Sequence, residues 1–396
     1  VNRPLRICHV ITRMIVGGAQ ENTLLTVRGL LEHGHTVVLV SGPSRGPEGA
    51  LLETSALPGL RLVNEPCLVR NPAPVRDWRA YSRLRRFFRR HRFDIVHTHS
   101  SKAGIIGRLA ACRAGVPVVI HTVHGQPFHP YQAHWRNVLY IHAERFAARC
   151  SDRILAVAEA MVDQCVAAGV APRSKYRVVY SGMELEPFLN RRACPELRQE
   201  LGIPPDALVV GKIARLFELK GHDCLIGAAP GIVRQFPNVR FLLVGDGNLR
   251  TDLEQAVADR GLADHFVFAG LVPPRDIPRY AGMMDLLVHL SLREGLPRAV
   301  VQALASGIPA VGFDLDGTPE VILHGKTGLL CAPGDVSAVE AGVCELLGNR
   351  ERRECLGRAG RELVRERFAW QQMVARIETE YRECLASRAA AAPVPE

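Results

Sequence analysis

Nowhere does this 396-residue chain approach the roughly 18 unbroken apolar residues that cross a bilayer. Its first residues, VNRPLRICHVI, run straight into strand-like sequence and lack the long apolar core of a secretory leader. Cys-x-x-Cys pairs are missing, and the eleven cysteines are scattered and odd in number. This argues against a disulfide framework and a zinc knuckle, and for reduced thiols in the cytoplasm. Short internal repeats are absent as well.

What is there is core material and unevenly placed charge. Hydrophobic residues make up 47% of the chain, and the length suits about two or three domains. The net charge is +10, yet residues 1–190 hold 25 Lys+Arg against 13 Asp+Glu, and residues 191–396 hold 25 against 27. All the excess positive charge lies in the first half, so the halves are expected to meet different partners.

Short β-rich runs alternate with helical patterns. LRICHVI (5–11), TVVLVSG (36–42), FDIVHTH (93–99), PVVIHTVHG (117–125), DRILAVAE (152–159) and YRVVYSG (176–182) read as strands. The pattern restarts with LVVGKIARL (208–216), VRFLLVGDG (239–247), HFVFAGLV (265–272), MDLLVHLS (284–291) and PAVGFDLDG (309–317). A β-α-β rhythm of this kind means parallel sheets covered by helices on both faces. The chain is therefore expected to be α/β, with two doubly wound domains joined near 182–206 and facing across a cleft. The tail ASRAAAAPVPE reads as low-complexity and disordered. In parallel sheets, ligands sit past the carboxyl ends of the strands, so unusual residues there are the candidates.

Gly17 and Gly18 fall between the first strand and its helix, where a bare backbone lets an anion approach a helix N-terminus; many such turns bind nothing. Arg215 and Lys220 follow a strand in ARLFELKG, a fork and a point charge suited to a diphosphate, or else two solvated charges. His97, His99, His121 and His124 end two neighbouring strands. The His-x-His spacing puts His97 and His99 on one face, but an acidic or cysteine third ligand is not obvious, so a polar site histidine is preferred to a metal. Asp314-Leu-Asp316 could hold a divalent cation; at a strand end entering a glycine turn, ordinary turn chemistry is preferred. In YSRLRRFFRRHRF (81–93), Leu84, Phe87, Phe88 and His91 share a helical face beside six arginines, which suits either the core or an anionic membrane surface.

In order and spacing, these segments resemble glycosyltransferase family 4, retaining enzymes of GT-B architecture. The likeness runs from HVITRMIVGGAQENTLLTVRGLLEHGHTVVLVS through VVYSGMELEPF, VGKIARLFELKGHDCLI and FLLVGDGNLRTDLE to SLREGLPRAVVQALASGIPAVGFDLDGTPEVILHGKTGLLCAPGD and RFAWQQMVARIETEYRE. The resemblance implies an acceptor-binding domain over 1–185 and a nucleotide-sugar-binding domain over 186–369. A helix at 370–386 would return to the first domain, ahead of a disordered tail at 387–396. It also implies roles. Gly17 and Gly18 face the donor diphosphate and sugar, and His124 lies beside the reacting sugar. Arg215 and Lys220 grip the phosphates. Glu294, Gly295, Leu296 and Pro297 contact sugar hydroxyls and phosphates, and Gln302 stands where the family usually has a ribose-binding glutamate. A glutamine there can still exchange hydrogen bonds with a ribose but carries no charge.

The expected reaction moves a sugar from a nucleotide-diphosphate sugar, UDP before GDP, to a hydroxyl acceptor that is a sugar or lipid-linked. The resemblance implies retention by front-face attack; neither a dedicated nucleophile nor a glycosidase-like carboxylate pair is identifiable. No cofactor or metal and no nucleic acid is expected. The place of work would be the cytoplasm, with docking on the inner membrane face through 81–93. Two other readings remain: a GT-B sugar-nucleotide epimerase, and a non-catalytic donor-binding subunit.

Overall fold

The computed structural model describes residues 3–15, 17–43, 57–190 and 194–390. The chain divides after Met183 and again after Ala369: the last segment rejoins the first unit, and Glu184–Ala369 form the second.

Among the described residues the first unit has seven strands: β1 (Arg6–Ile11), β2 (Thr36–Ser41), β3 (Arg61–Asn64), β4 (Ile95–His99), β5 (Val118–Val123), β6 (Arg153–Ala156) and β7 (Tyr176–Val178). They pair in parallel in the order 3-2-1-4-5-6-7. Its helices are α1 (Gly18–Glu32), α2 (Pro74–His91), α3 (Ser101–Ala114), α4 (His134–Ala148) and α5 (Glu159–Ala167). In the second unit α6 (Glu186–Leu189) and α7 (Pro195–Glu200) precede β8 (Val209–Ile213), α8 (His222–Gln235), β9 (Arg240–Val244), α9 (Arg250–Ala258) and β10 (Phe266–Gly270). Then come α10 (Ile277–Ala281), β11 (Leu286–His289), α11 (Arg298–Ala305), β12 (Ala310–Phe313), β13 (Gly328–Cys331), α12 (Val336–Gly348) and α13 (Arg350–Arg367). Its sheet is also parallel, ordered 10-9-8-11-12-13. In both sheets the strand order reverses, between β1 and β4 in the first and between β8 and β11 in the second, which makes each unit doubly wound.

The inner strands are apolar on both faces because helices cover both. β3 and β13 are absent from the sequence reading for a physical reason: both are four-residue edge strands, and β3 (RLVN) is largely exposed, so neither shows a long buried run. On one face of the first sheet, Ile7, Val37 and Ile95 pack with Val27 and Leu30 of α1. The last helix, α14 (Trp370–Ala390), adds Trp370, Met373, Val374, Ile377 and Tyr381 to this cluster. Each such side chain gains roughly 1.5–3 kcal/mol on burial. The other face packs Cys8, Val38 and Val96 against Leu84 and Phe88 of α2 and Ala103 and Ala110 of α3.

Of the two uses left open for 81–93 the structure takes the core, and one helix boundary is corrected. The apolar strip of 81–93 faces inward: Leu84 and Phe88 are buried, and Phe87 packs on His91 and Phe93, so these rings are not a lipid-binding surface. Only the arginines of that segment remain outside, because the sheet below offers the apolar rings a dry partner. The helix expected to end at 386 continues to Ala390, since its Ala- and Arg-rich sequence favours helix. Residues 391–396 of the expected tail lie outside the described residues.

Candidate active site

In the second unit, three loops after parallel strands are tied together by backbone geometry. Gly221 starts α8 with φ +66, and a Cβ there would lie 2.0 Å from the Leu290 carbonyl oxygen. Only glycine lets the Lys220 loop press against the end of β11. The Leu292 amide then donates to the Leu219 carbonyl at 2.8 Å. Asp316, in the left-handed region at φ 51, accepts the Glu294 amide on Oδ2 at 2.9 Å. Asp316 thus fixes the loop that carries Glu294, a use the turn reading had not foreseen.

This lacing brings Lys220 and Glu294 together, with Lys220 Nζ donating to Glu294 Oε1 at 2.5 Å. Burial alone would raise the Glu294 carboxyl; Lys220, with His289 and Ser291, outweighs it and holds the group below the ordinary carboxylate range. Arg215 is exposed with its guanidinium 5.8 Å from the centre of the Phe217 ring. Its carbonyl accepts a hydrogen bond from His222 Nε2 at 3.0 Å, and burial and Lys212 push His222 down to about 4, so a neutral ring does this work. Gly295 is half-exposed, Leu296 and Pro297 are buried, and Pro297 caps α11, whose second turn carries half-buried Gln302.

Two groups here escaped the sequence reading. Lys212, within β8, is buried, and burial followed by Lys220 brings it down to about 7. His289, the last residue of β11, has its Nε2 3.9 Å from Glu294 Oε1, and burial takes it to about 4. The signal was a lysine and a histidine interrupting apolar strands, VVGKIA and LLVHLS, where a bystander charge would be costly.

In the first unit, Gly17 and Gly18 occupy the turn from β1 into α1, partly exposed, with Gly17 extended. His124 follows β5, and its Nε2 meets His99 Nδ1 at 3.0 Å. From there hydrogen bonds run inward: His99 Nε2 to His9 Nδ1 at 2.9 Å, His9 Nε2 to the Tyr381 hydroxyl at 3.5 Å, Tyr381 to His97 Nδ1 at 2.6 Å, and His97 Nε2 to Thr122 Oγ1 at 2.7 Å. Burial lowers His9 to about 3 and holds His97 and His99 far below their usual value, so all three are neutral. A neutral imidazole has one donor and one acceptor, so each ring passes the direction on, and the chain runs one way when the Tyr381 hydroxyl accepts from one neighbour and donates to the other. His121 stands apart, facing Thr98 and pressed against Gly104.

The ring nitrogens of His9, His97 and His99 lie within 4.8 Å of one another, close enough to raise the question of a metal. The rings answer it. His97 stacks on His99 at 4.3 Å between centroids and 30°, and His9 on His99 at 5.2 Å and 13°. Stacked rings send their lone pairs side by side rather than to one point, and the nitrogens already share hydrogen bonds. The donor set does not fit an ion. A cavity of about 290 Å³ opens beside His124, lined also by Ser100, Arg108, His121 and Glu144.

Two doubly wound parallel sheets with their polar residues gathered past the strand ends are the architecture of the GT-B glycosyltransferases. One solved structure of this kind is that of Anabaena HepE in complex with UDP, with a TM-score of 0.81 at 20% identity, covering 96% of this chain and 100% of that one. Residues 17–182 match the glycosyl transferase 4-like domain, and residues 194–363 match the glycosyl transferases group 1. An Escherichia coli UDP-Gal:α-D-GlcNAc-diphosphoundecaprenol α-1,3-galactosyltransferase is 30% identical over 338 residues, 84% of this chain and 86% of its own. A GDP-mannose-dependent α-(1-6)-phosphatidylinositol monomannoside mannosyltransferase of Mycolicibacterium smegmatis is 27% identical over 370 residues, 91% of this chain and 94% of its own. The chain belongs to the group 1, family 4-type glycosyltransferases.

Proposed function

We propose that the chain transfers a sugar from a UDP-sugar, with retention, to a hydroxyl of a lipid-linked saccharide in polysaccharide or glycoconjugate synthesis. The observation that carries this is the pairing of Lys220 with Glu294 past the strand ends of the second unit, with Arg215 in the same loop as Lys220. Breaking a sugar–diphosphate bond leaves negative charge on the departing oxygen, and two cations held there stabilise it where it develops. The anomeric carbon becomes electron-poor, and Glu294 can hold the sugar's hydroxyls beside it. The acceptor hydroxyl attacks the face the diphosphate is leaving, and a donor phosphate oxygen takes its proton. Gln302 holds the ribose, Gly295, Leu296 and Pro297 hold sugar and phosphate, and Gly17, Gly18 and His124 serve the diphosphate and reacting sugar. The E. coli relative's named donor and diphosphate-lipid acceptor support the choice of UDP and of a lipid carrier. The positive first half of the chain supports an anionic acceptor at the cytoplasmic membrane face.

Transfer in this reading uses no divalent metal at Asp314 and Asp316, since Asp316 is engaged with the Glu294 amide and Asp314 lies exposed. The test is a screen of UDP- and GDP-sugars for slow hydrolysis by the purified protein, then acceptor trials with the best donor and NMR of the product anomer. A UDP-sugar giving a product with the donor's anomeric configuration is the expected outcome. Interconversion of the donor without acceptor, or inversion, would reject it.

A further inference from the structure

The hydrogen-bonded chain that reaches His124 starts and ends at β5, with Thr122 at one end and His124 at the other. Between them it passes through β4, α14 and β1. His9, His97 and Tyr381 are fully buried, and His99 and Thr122 nearly so. Side chains this deep exchange no hydrogen bonds with bulk water. The direction of one link therefore decides the next, and the inner rings are neutral. One link is short enough to show which atom donates.

The Tyr381 oxygen lies 2.6 Å from His97 Nδ1 and 3.5 Å from His9 Nε2. An N–H donating to oxygen sits at about 2.7–3.2 Å, whereas a hydroxyl donor comes closer. Tyr381 thus gives its one hydrogen to His97 Nδ1. His97 then carries its proton on Nε2 and donates to Thr122 Oγ1 at 2.7 Å, within the N–H range. Were the direction opposite, the 2.6 Å contact would have to be an N–H bond. With its hydrogen turned to His97, Tyr381 shows His9 only lone pairs. A lone pair on His9 Nε2 would repel them, so that nitrogen carries the proton. His9 Nδ1 accordingly accepts from His99 Nε2, and His99 Nδ1 accepts from His124 Nε2. A neutral His124 is left with its lone pair on Nδ1, in a ring that lines the cavity past β5.

We infer that Tyr381, far along the chain on the last helix, is a positioning residue for His124, holding its proton on Nε2 and making Nδ1 an acceptor. A hydroxyl of the reacting sugar can then donate to Nδ1; that use rests on the function proposed above, whereas the tautomer stands on its own geometry. Thr122 is the second control, because His97 needs an acceptor for its Nε2 proton. The test is imidazole nitrogen NMR of the full-length protein at about pH 8, above the ordinary histidine value of about 6.5. The His124 signals are assigned by their loss in His124→Gln. His124 should show one tautomer, with the proton on Nε2. In Tyr381→Phe, His9 Nε2 has nothing to donate to, and a buried N–H without an acceptor is costlier than a bare lone pair. The protons of His9, His99 and His124 should therefore move to the other nitrogen of each ring. Thr122→Val, close in size, should do the same with Tyr381 in place: His97 shifts its proton to Nδ1, and the Tyr381 hydroxyl turns to His9. Thr122→Ser should keep the Nε2 form. In donor hydrolysis, Tyr381→Phe should lower kcat about tenfold with a smaller change in KM. A His124 proton on Nδ1 or exchanging between both nitrogens in the unaltered protein would overturn the inference. So would an Nε2 form that survives Tyr381→Phe or Thr122→Val, or a shifted tautomer with kcat unchanged. If the tautomers behave as stated but the unaltered protein hydrolyses no donor, the proposed function fails and the positioning stands.

Discussion

Lys220 and Glu294 neutralise each other at 2.5 Å, although one is assigned to a phosphate and the other to a sugar. Before donor arrives, each is the other's substitute ligand. A diphosphate reaching Lys220 must therefore compete with a carboxylate, and the released Glu294 becomes available for hydroxyls. This exchange makes the pair sensitive to the loss of either member.

Lys220→Ala is expected to cut transfer by two to three powers of ten, about 3–4 kcal/mol of lost charge stabilisation, with Arg215→Ala similar. The two should differ in pH behaviour. Without Lys220 the burial of Glu294 is opposed only by His289 and Ser291 and its carboxyl rises, so the acid limb of the rate profile should move to higher pH in Lys220→Ala and stay in place in Arg215→Ala. Matching profiles would separate Glu294 from Lys220 in function.

Gln302 and Glu294 should divide the kinetics. Gln302→Ala is expected to raise the donor KM more than it lowers kcat, by about 1–2 kcal/mol, and Gln302→Glu to be tolerated. Glu294→Gln should act mainly on kcat. Equal losses at both positions, all in kcat, would show the assignment to be wrong.

Lys212 predicts a pH signature in stability. Its folded value of about 7 lies below its ordinary 10.5, so between these the unfolded chain binds more protons. Its contribution is most favourable above 10.5 and is lost as pH falls through 7. Lys212→Met, similar in volume and uncharged, should be more stable than the unaltered protein at pH 7, with the gap closing toward pH 10. A gap constant with pH in chemical denaturation would remove Lys212 as its source.

Tyr381→Phe keeps the packing of α14 but removes the hydroxyl that joins His97 to His9. A loss of about 1–3 kcal/mol in denaturant unfolding is expected, for buried nitrogens left without a partner. Imidazole nitrogen NMR should also show altered tautomers at His9 and His99. Unchanged resonances would mean that the hydrogen bonds do not share one direction.

Legibility in the sequence followed locality. Inner strands show as apolar runs, and Arg215, Lys220, Glu294 and His124 stand out because each follows one directly. Asp316's hold on Glu294 joins residues 22 apart, and Tyr381's on His97 joins residues 284 apart; no local pattern carries either. Periodicity shows that a helix has an apolar stripe but not which way it faces. For that reason the rings of 81–93 read equally as core or surface and proved to be core, while Trp135, Leu139 and Phe146 drew no notice and proved to be surface.

The return of α14 to the first unit has a consequence for synthesis on the ribosome. Glu184–Ala369 can close around its own core as soon as it emerges. The unit made first must wait for Trp370, Met373, Val374, Ile377 and Tyr381, because α1 covers only part of one face of its sheet until they arrive. The usual order, amino-terminal domain first, is thereby reversed. A chain cut short before residue 370 would keep all thirteen strands and every residue assigned to the donor, yet carry a partly uncovered apolar sheet face, the kind of surface chaperones and proteases detect.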